Sequence, residues 1–267
     1  MMMPEIWAAV AAALLAVAAV GSSLMLVSRR QSWDAIVLGA RVTALGVLIV
    51  ALVAAALQQG RWIADNPQQA LLGIVVAMLA IQMLLAWRLG AGSAGPWVDI
   101  IALALSLVGA FVSGAGAPLS SCAQEAALLQ AHWILLSLGG GSVLVAASAG
   151  LSLGLGAALA GRGKELQLLD RLLLHDLMAQ AATLTLVGLG SGLVVGVWWA
   201  WRTSGTWLGA NAREVWMAVA WLPTAMSVLA WQLAGHRGRW VALLALVAAL
   251  AVVVGLLLPV NAMVAGI

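Results

Sequence analysis

The side chains able to do chemistry in this chain are few and scattered. The three histidines are His132, His175 and His236. His175 stands beside Asp176, where an imidazole and a carboxylate can share a proton. Cys122 is the single cysteine, which excludes an internal disulfide, a CxxC redox pair and a thiolate cluster. Glu125 lies close behind it, and a neighbouring carboxylate disfavours a thiolate, so Cys122 reads as a loop cysteine. Asp34 and Arg41 lie two turns apart on one helical face, the spacing of an ion pair with a snorkelling arginine. The sequence holds no metal-ligand spacing, no local Ser-His-Asp set and no phosphate loop. Gly188, Gly190 and Gly192 imitate part of a nucleotide fingerprint. They lack the strand and βα unit that fingerprint needs, so helix packing is their expected role.

The elements that must position these residues follow from composition. Of 267 residues, 64% are hydrophobic and 8% are charged, against about 25% charged in ordinary soluble domains. So few charges cannot cover a water-facing surface. Several apolar runs exceed the ~18 residues that mark a spanning helix, and no long polar block interrupts them. Lipid demands that backbone groups be satisfied internally. The period-2 alternation of a barrel is absent, which leaves an all-α, polytopic membrane helix bundle of about eight transmembrane helices. The spans are predicted near residues 6–28, 34–58, 69–87, 96–115, 127–160, 173–200, 214–234 and 240–260. The first run, Ile6 to Val27, is long enough to stay as an uncleaved span. The net charge of +3 comes from basic residues in short loops, which argues for membrane orientation and against nucleic acid.

Those loops assign the two sides. Arg29, Arg30, Arg88, Arg162, Lys164, Arg171, Arg237 and Arg239 share one side, whereas Arg61, Arg202 and Arg213 lie on the other. The positive-inside rule then places both termini outside a bacterial inner (cytoplasmic) membrane or its equivalent. Trp62, Trp97, Trp133, Trp201 and Trp207 suit the outer interface, and Trp33, Trp87 and Trp240 the inner one. Gly139 to Gly141, Gly150, Gly154, Gly156 and Gly196 permit close helix approach. Gln82 and Gln180 are expected to hydrogen-bond between helices.

The second half of the chain carries a family pattern. The stretch from Trp199 through Trp201, Gly205, Trp207, Arg213, Glu214 and Trp216 to Trp221 resembles the tryptophan-rich WWD loop of the cytochrome c assembly proteins (CcsA/ResC type, with CcmC as a relative). That loop reads WAxxxWGxxWxWDPKExW. Its first and last tryptophans keep their separation here without a gap, with Arg213 in place of lysine and Asn211 in place of aspartate. Downstream, Arg237 and Gly238 match a basic inner-loop RG. Upstream, Leu129, Gln130, His132 and Trp133 resemble an LQSHW helix start. Leu169, Asp170 and Thr185 resemble the LD…T pattern that opens the sixth span. The resemblance implies an N-terminal region (1–126) of divergent spans and an assembly-like half (127–267) with its outer loop at 199–216.

The departures are as informative as the matches. The family grips haem with histidines that fall here on Ser137, Leu229 and Ile267, and the central loop tryptophans become Leu208 and Ala210. Haem needs axial nitrogen or sulfur ligands and aromatic faces. If haem is kept, the candidates left near the outer face are His132 and Met263 as a His/Met ligand set, with Trp199, Trp207 and Trp216 as walls. Asp34, Arg41, Arg213, Glu214 and Trp221 are read as structural or topological. The expected function is therefore cytochrome c assembly-like haem handling with haem binding reduced or lost. The alternatives are a non-catalytic subunit of a respiratory or photosynthetic electron-transfer complex, a HemX-like regulatory anchor, or, more remotely, a transporter. A catalytic role has little support. Lipid and other membrane subunits are the expected partners, with no nucleic acid.

Overall fold

A computed structural model describes residues 3–28, 33–59, 67–89, 96–111, 123–160, 171–205, 212–234 and 239–257. All but one of these lie in eight α-helices: α1 (Met3–Ser28), α2 (Trp33–Gln59), α3 (Pro67–Leu89), α4 (Pro96–Phe111), α5 (Ala123–Ala160), α6 (Arg171–Ser204), α7 (Ala212–Ala234) and α8 (Arg239–Leu257). Six are long and apolar enough to cross a bilayer, and α1 and α4 contribute shorter apolar segments. The chain is a polytopic membrane helix bundle. Large apolar side chains stand exposed on all eight helices, among them Val17, Ile36, Leu84, Ile100, Ile134, Val187, Leu222 and Leu250. Water would penalise each of them, whereas hydrocarbon does not.

Local chemistry sets the helix ends. Pro67 and Pro96 open α3 and α4, where a missing N–H costs nothing. Asp34, Asp99 and Glu214 sit in first turns, facing the positive end of the helix dipole. Gly205 closes α6 with φ 69° while its N–H donates to the Trp201 carbonyl at 3.1 Å, an αL cap that suits glycine.

Helix α5 is the axis of the bundle, packed by α6, α3 and α8, while α1 gathers α2 and α4. Glycine decides how closely the axis is approached. A Cβ on Gly139 would lie 2.5 Å from the Leu189 backbone nitrogen, and one on Gly188 would lie 2.8 Å from Gly139 Cα. On the other side of α5, a Cβ on Gly141 would come within 2.6 Å of the Met78 nitrogen of α3. The α5 backbone therefore touches those of both neighbours directly, as small-residue faces allow in lipid.

Two sequence expectations are corrected here. The bidentate pair of Arg41 is with Asp99 of α4, not with Asp34 of its own helix: Nε donates to Oδ1 and Nη2 to Oδ2, each at 2.7 Å. Ser22 of α1 adds an Oγ–H bond to Oδ2 at 2.8 Å. Arg41 and Asp99 are both buried, and a lateral partner on a packed helix satisfies the guanidinium without snorkelling. The amides of Gln82 and Gln180 were expected to bridge helices. Both side-chain atoms of Gln82, and Oε1 of Gln180, are instead buried without a hydrogen-bond partner. The reason is clearest for Gln82. Gly109 of α4 meets Leu72 of α3, and ten residues away along each helix toward the same end of the bundle, about 15 Å, stand Asp99 and Gln82. At that depth the carboxylate is already engaged by Arg41 and Ser22.

Candidate functional site

Among the described residues, a buried histidine stands where α5, α6 and α7 meet. His132 lies on the first third of α5 and is 2% exposed. Gly196 of α6 makes room for it: a Cβ there would sit 2.4 Å from the ring's Cε1. One turn earlier on α6, the Gly192 carbonyl lies 2.7 Å from His132 Nδ1. A carbonyl only accepts, so Nδ1 carries the proton. The tautomer is thereby fixed, and Nε2 either holds a lone pair or a second proton. That nitrogen faces Glu214 Oε1 of α7 at 3.8 Å. Trp133 stands edge-on to the imidazole, with ring centroids 6.0 Å apart.

The arrangement is a buried imidazole facing a carboxylate at 3.8 Å, held by a backbone clamp. Each of its groups comes from a different helix, so the pair also records how α5, α6 and α7 are set against one another. An N–H donated to a backbone carbonyl is how metal-binding histidines are commonly oriented, and Nε2 is the atom that would ligate. A haem does not fit that atom as it stands. Iron would have to sit about 2 Å from Nε2, with the macrocycle spread across that direction, where the Glu214 carboxylate lies 3.8 Å away. The ring's burial leaves no open face for a porphyrin.

The other expected site residues are dispersed. Trp199 stands half-buried on α6, one turn after Gly196. Trp216 and Trp221 of α7 pack, partly buried, against the apolar core of the bundle, and Trp221 Nε1–H donates to the Leu186 carbonyl at 3.2 Å. Trp198 and Trp201 are exposed, and the Arg202 guanidinium lies 5.6 Å from the Trp198 ring. Trp207, Met263, Cys122 and the Arg213 side chain lie outside the described residues. Of the family's ligand positions, Ser137 sits on a face of α5 turned away from His132, and Leu229 is exposed on α7. Sequence reasoning missed the Gly192 carbonyl and the space at Gly196. The recurrence of glycine at 188, 192 and 196, one per turn, was the available signal for a face that receives a neighbouring side chain.

No known family model matches the sequence, and no curated protein matches it. The fold is similar to that of a solved cytochrome c haem lyase, CcmF, with a TM-score of 0.66 over 96% of this chain at 15% identity. The chain spans about half of that protein, 47% of its length. At such identity the likeness concerns the fold, and at that level it agrees with the resemblance read from the tryptophan-rich stretch.

Proposed function

We propose that this chain is a cytochrome c assembly-like integral membrane protein in which haem binding is reduced or lost. The reading is carried by one pairing: a haem-lyase-like fold and a His132 whose ring nitrogens face Gly192 and Glu214. In this reading the aromatic residues of the outer loop are retained as a scaffold, while His132 ties three helices together. Its place is the inner membrane, with both termini outside and other membrane subunits as partners.

The test is a pyridine haemochrome assay on protein purified in mild detergent from haem-replete cells. Substoichiometric haem is expected, unchanged in His132→Ala. Haem at one per chain, lost in that variant, would overturn the reduced-binding reading. Orientation is tested at Cys122, which should react in intact cells with a membrane-impermeant maleimide. A partner predicts migration above monomer size in native gels of solubilised membranes.

A further inference from the structure

A second feature lies on the opposite flank of α5. An open cavity of about 540 Å³ is lined by three helix faces, each in i, i+3, i+4, i+7 register or close to it. Helix α3 forms the floor with Gly73, Val76, Ala77 and Ala80, and α2 supplies a wall that includes Ile49 and Ala56. The other wall is α5, from Gln130 to Leu138. The mouth opens sideways: Ile49, Ile134 and Leu138 line the cavity and are also 43%, 60% and 42% exposed on the bundle's flank. A sideways mouth in a membrane bundle opens to lipid.

Its dimensions select the occupant. From Gln69 to Ala80 the floor runs about 16 Å at 1.5 Å per residue. It starts at the end of α3 that the loop charges place outside, so it covers roughly one leaflet of a ~30 Å hydrocarbon core. A membrane-spanning partner helix would run the full thickness, whereas a flexible hydrocarbon chain ends within one leaflet. Polar lining is concentrated at the interface end, in Gln69, Gln130 and the Trp133 indole, with Ser137 deeper. No formal charge faces the cavity from its lining.

We propose that this groove is a binding site for an outer-leaflet glycerolipid, one acyl chain lying along α3 and the ester region at Gln130. Gly73 is part of the fit: a Cβ there would meet Ser137 Oγ at 3.3 Å, so a larger side chain must turn into the groove. The site lies on the face of α5 away from His132, and it stands whether or not the haem reading does; its leaflet alone rests on the proposed orientation.

The experiment uses the full chain in nanodiscs containing a trace of phosphatidylethanolamine with a diazirine on one acyl chain, followed by peptide mapping. Adducts are expected on α2, α3 and α5 lining residues. Native mass spectrometry should find one phospholipid retained through delipidating detergent. Retention should fall at least tenfold in Ala80→Trp and Gly73→Leu, and stay unchanged in Val247→Trp, which enlarges an exposed side chain of α8. Adducts spread evenly over the bundle's exterior would overturn the proposal, as would retention of an isoprenoid in place of phospholipid, or equal retention in the groove-filling variants. The mapping on unaltered protein decides the matter even where a variant fails to fold.

Discussion

Arg41 of α2 and Asp99 of α4 face one another through two parallel hydrogen bonds of 2.7 Å, with both side chains almost wholly buried. Ser22 completes the carboxylate from α1, so a single ion pair gathers α1, α2 and α4. Breaking one half leaves the other charge stranded in a medium that cannot solvate it. Arg41→Met is therefore expected to cost about 3–5 kcal/mol. The double change Arg41→Met with Asp99→Leu should recover most of that, because no charge remains to be paired. Equilibrium unfolding in mixed micelles reads both. A single variant as stable as the parent would mean the pair is solvated.

The His132 ring and Gly196 compete for the same space, since a Cβ at Gly196 would lie 2.4 Å from Cε1. Gly196→Ala should cost about 1–3 kcal/mol through overpacking. His132→Ala removes the competing ring, so the double variant should be more stable than the sum of the two single losses predicts. A coupling free energy near zero in this cycle would show that the ring is not seated against α6. Nitrogen-15 spectra of labelled histidine offer a second check. The Gly192 carbonyl requires Nδ1 to stay protonated wherever the fold persists, with Nε2 as the nitrogen that exchanges.

The helices were legible because lipid imposes one simple rule: long apolar stretches had to be spans, and Pro67, Pro96 and Gly205 mark where three of them begin or end. What pairs with what was not legible. Asp34 is near Arg41 in sequence and on the same face, yet Asp99 wins because α4 brings it to the guanidinium's height. Sequence spacing carries information within a helix and none about the rotation of one helix against another. His132 was singled out for its outer position, but its partners are a carbonyl, which has no sequence signature, and a carboxylate on α7. The lipid-sized groove was missed for the same reason. Gly73, Val76, Ala77 and Ala80 read as packing residues until α2 is seen to stand away from them.

Glycines that look alike in sequence separate sharply in space. Gly188 has Gly139 Cα 2.8 Å from where its Cβ would be, and backbone cannot step aside as a flexible side chain can. Gly154, also on a long helix, has nothing within 4 Å. Gly188→Ala should therefore pry α5 from α6 and lower the melting temperature. Gly154→Ala should be neutral or stabilising by about 0.5–1 kcal/mol, the usual gain from replacing glycine within a helix. Equal responses at the two positions would contradict the direct backbone contact of α5 with α6.

Gln82 carries the least expected prediction. Its amide is fully buried at the depth of Asp99, and neither of its polar atoms has a partner. A buried amide without hydrogen bonds costs about 1–3 kcal/mol relative to one that is paired, whereas leucine at the same position has nothing to satisfy and a similar reach. Gln82→Leu is therefore expected to stabilise the bundle in detergent unfolding, an unusual result for a change inside a packed core. Gln82→Ala should instead destabilise by about 2 kcal/mol or more, because it leaves a void between α3 and its neighbours. The contrast separates the two contributions of the side chain, its bulk and its polarity. Destabilisation by leucine comparable to that by alanine would mean that the amide hydrogen-bonds an internal water or the Arg41–Asp99–Ser22 cluster in the membrane, and that polar order in the N-terminal half extends to α3.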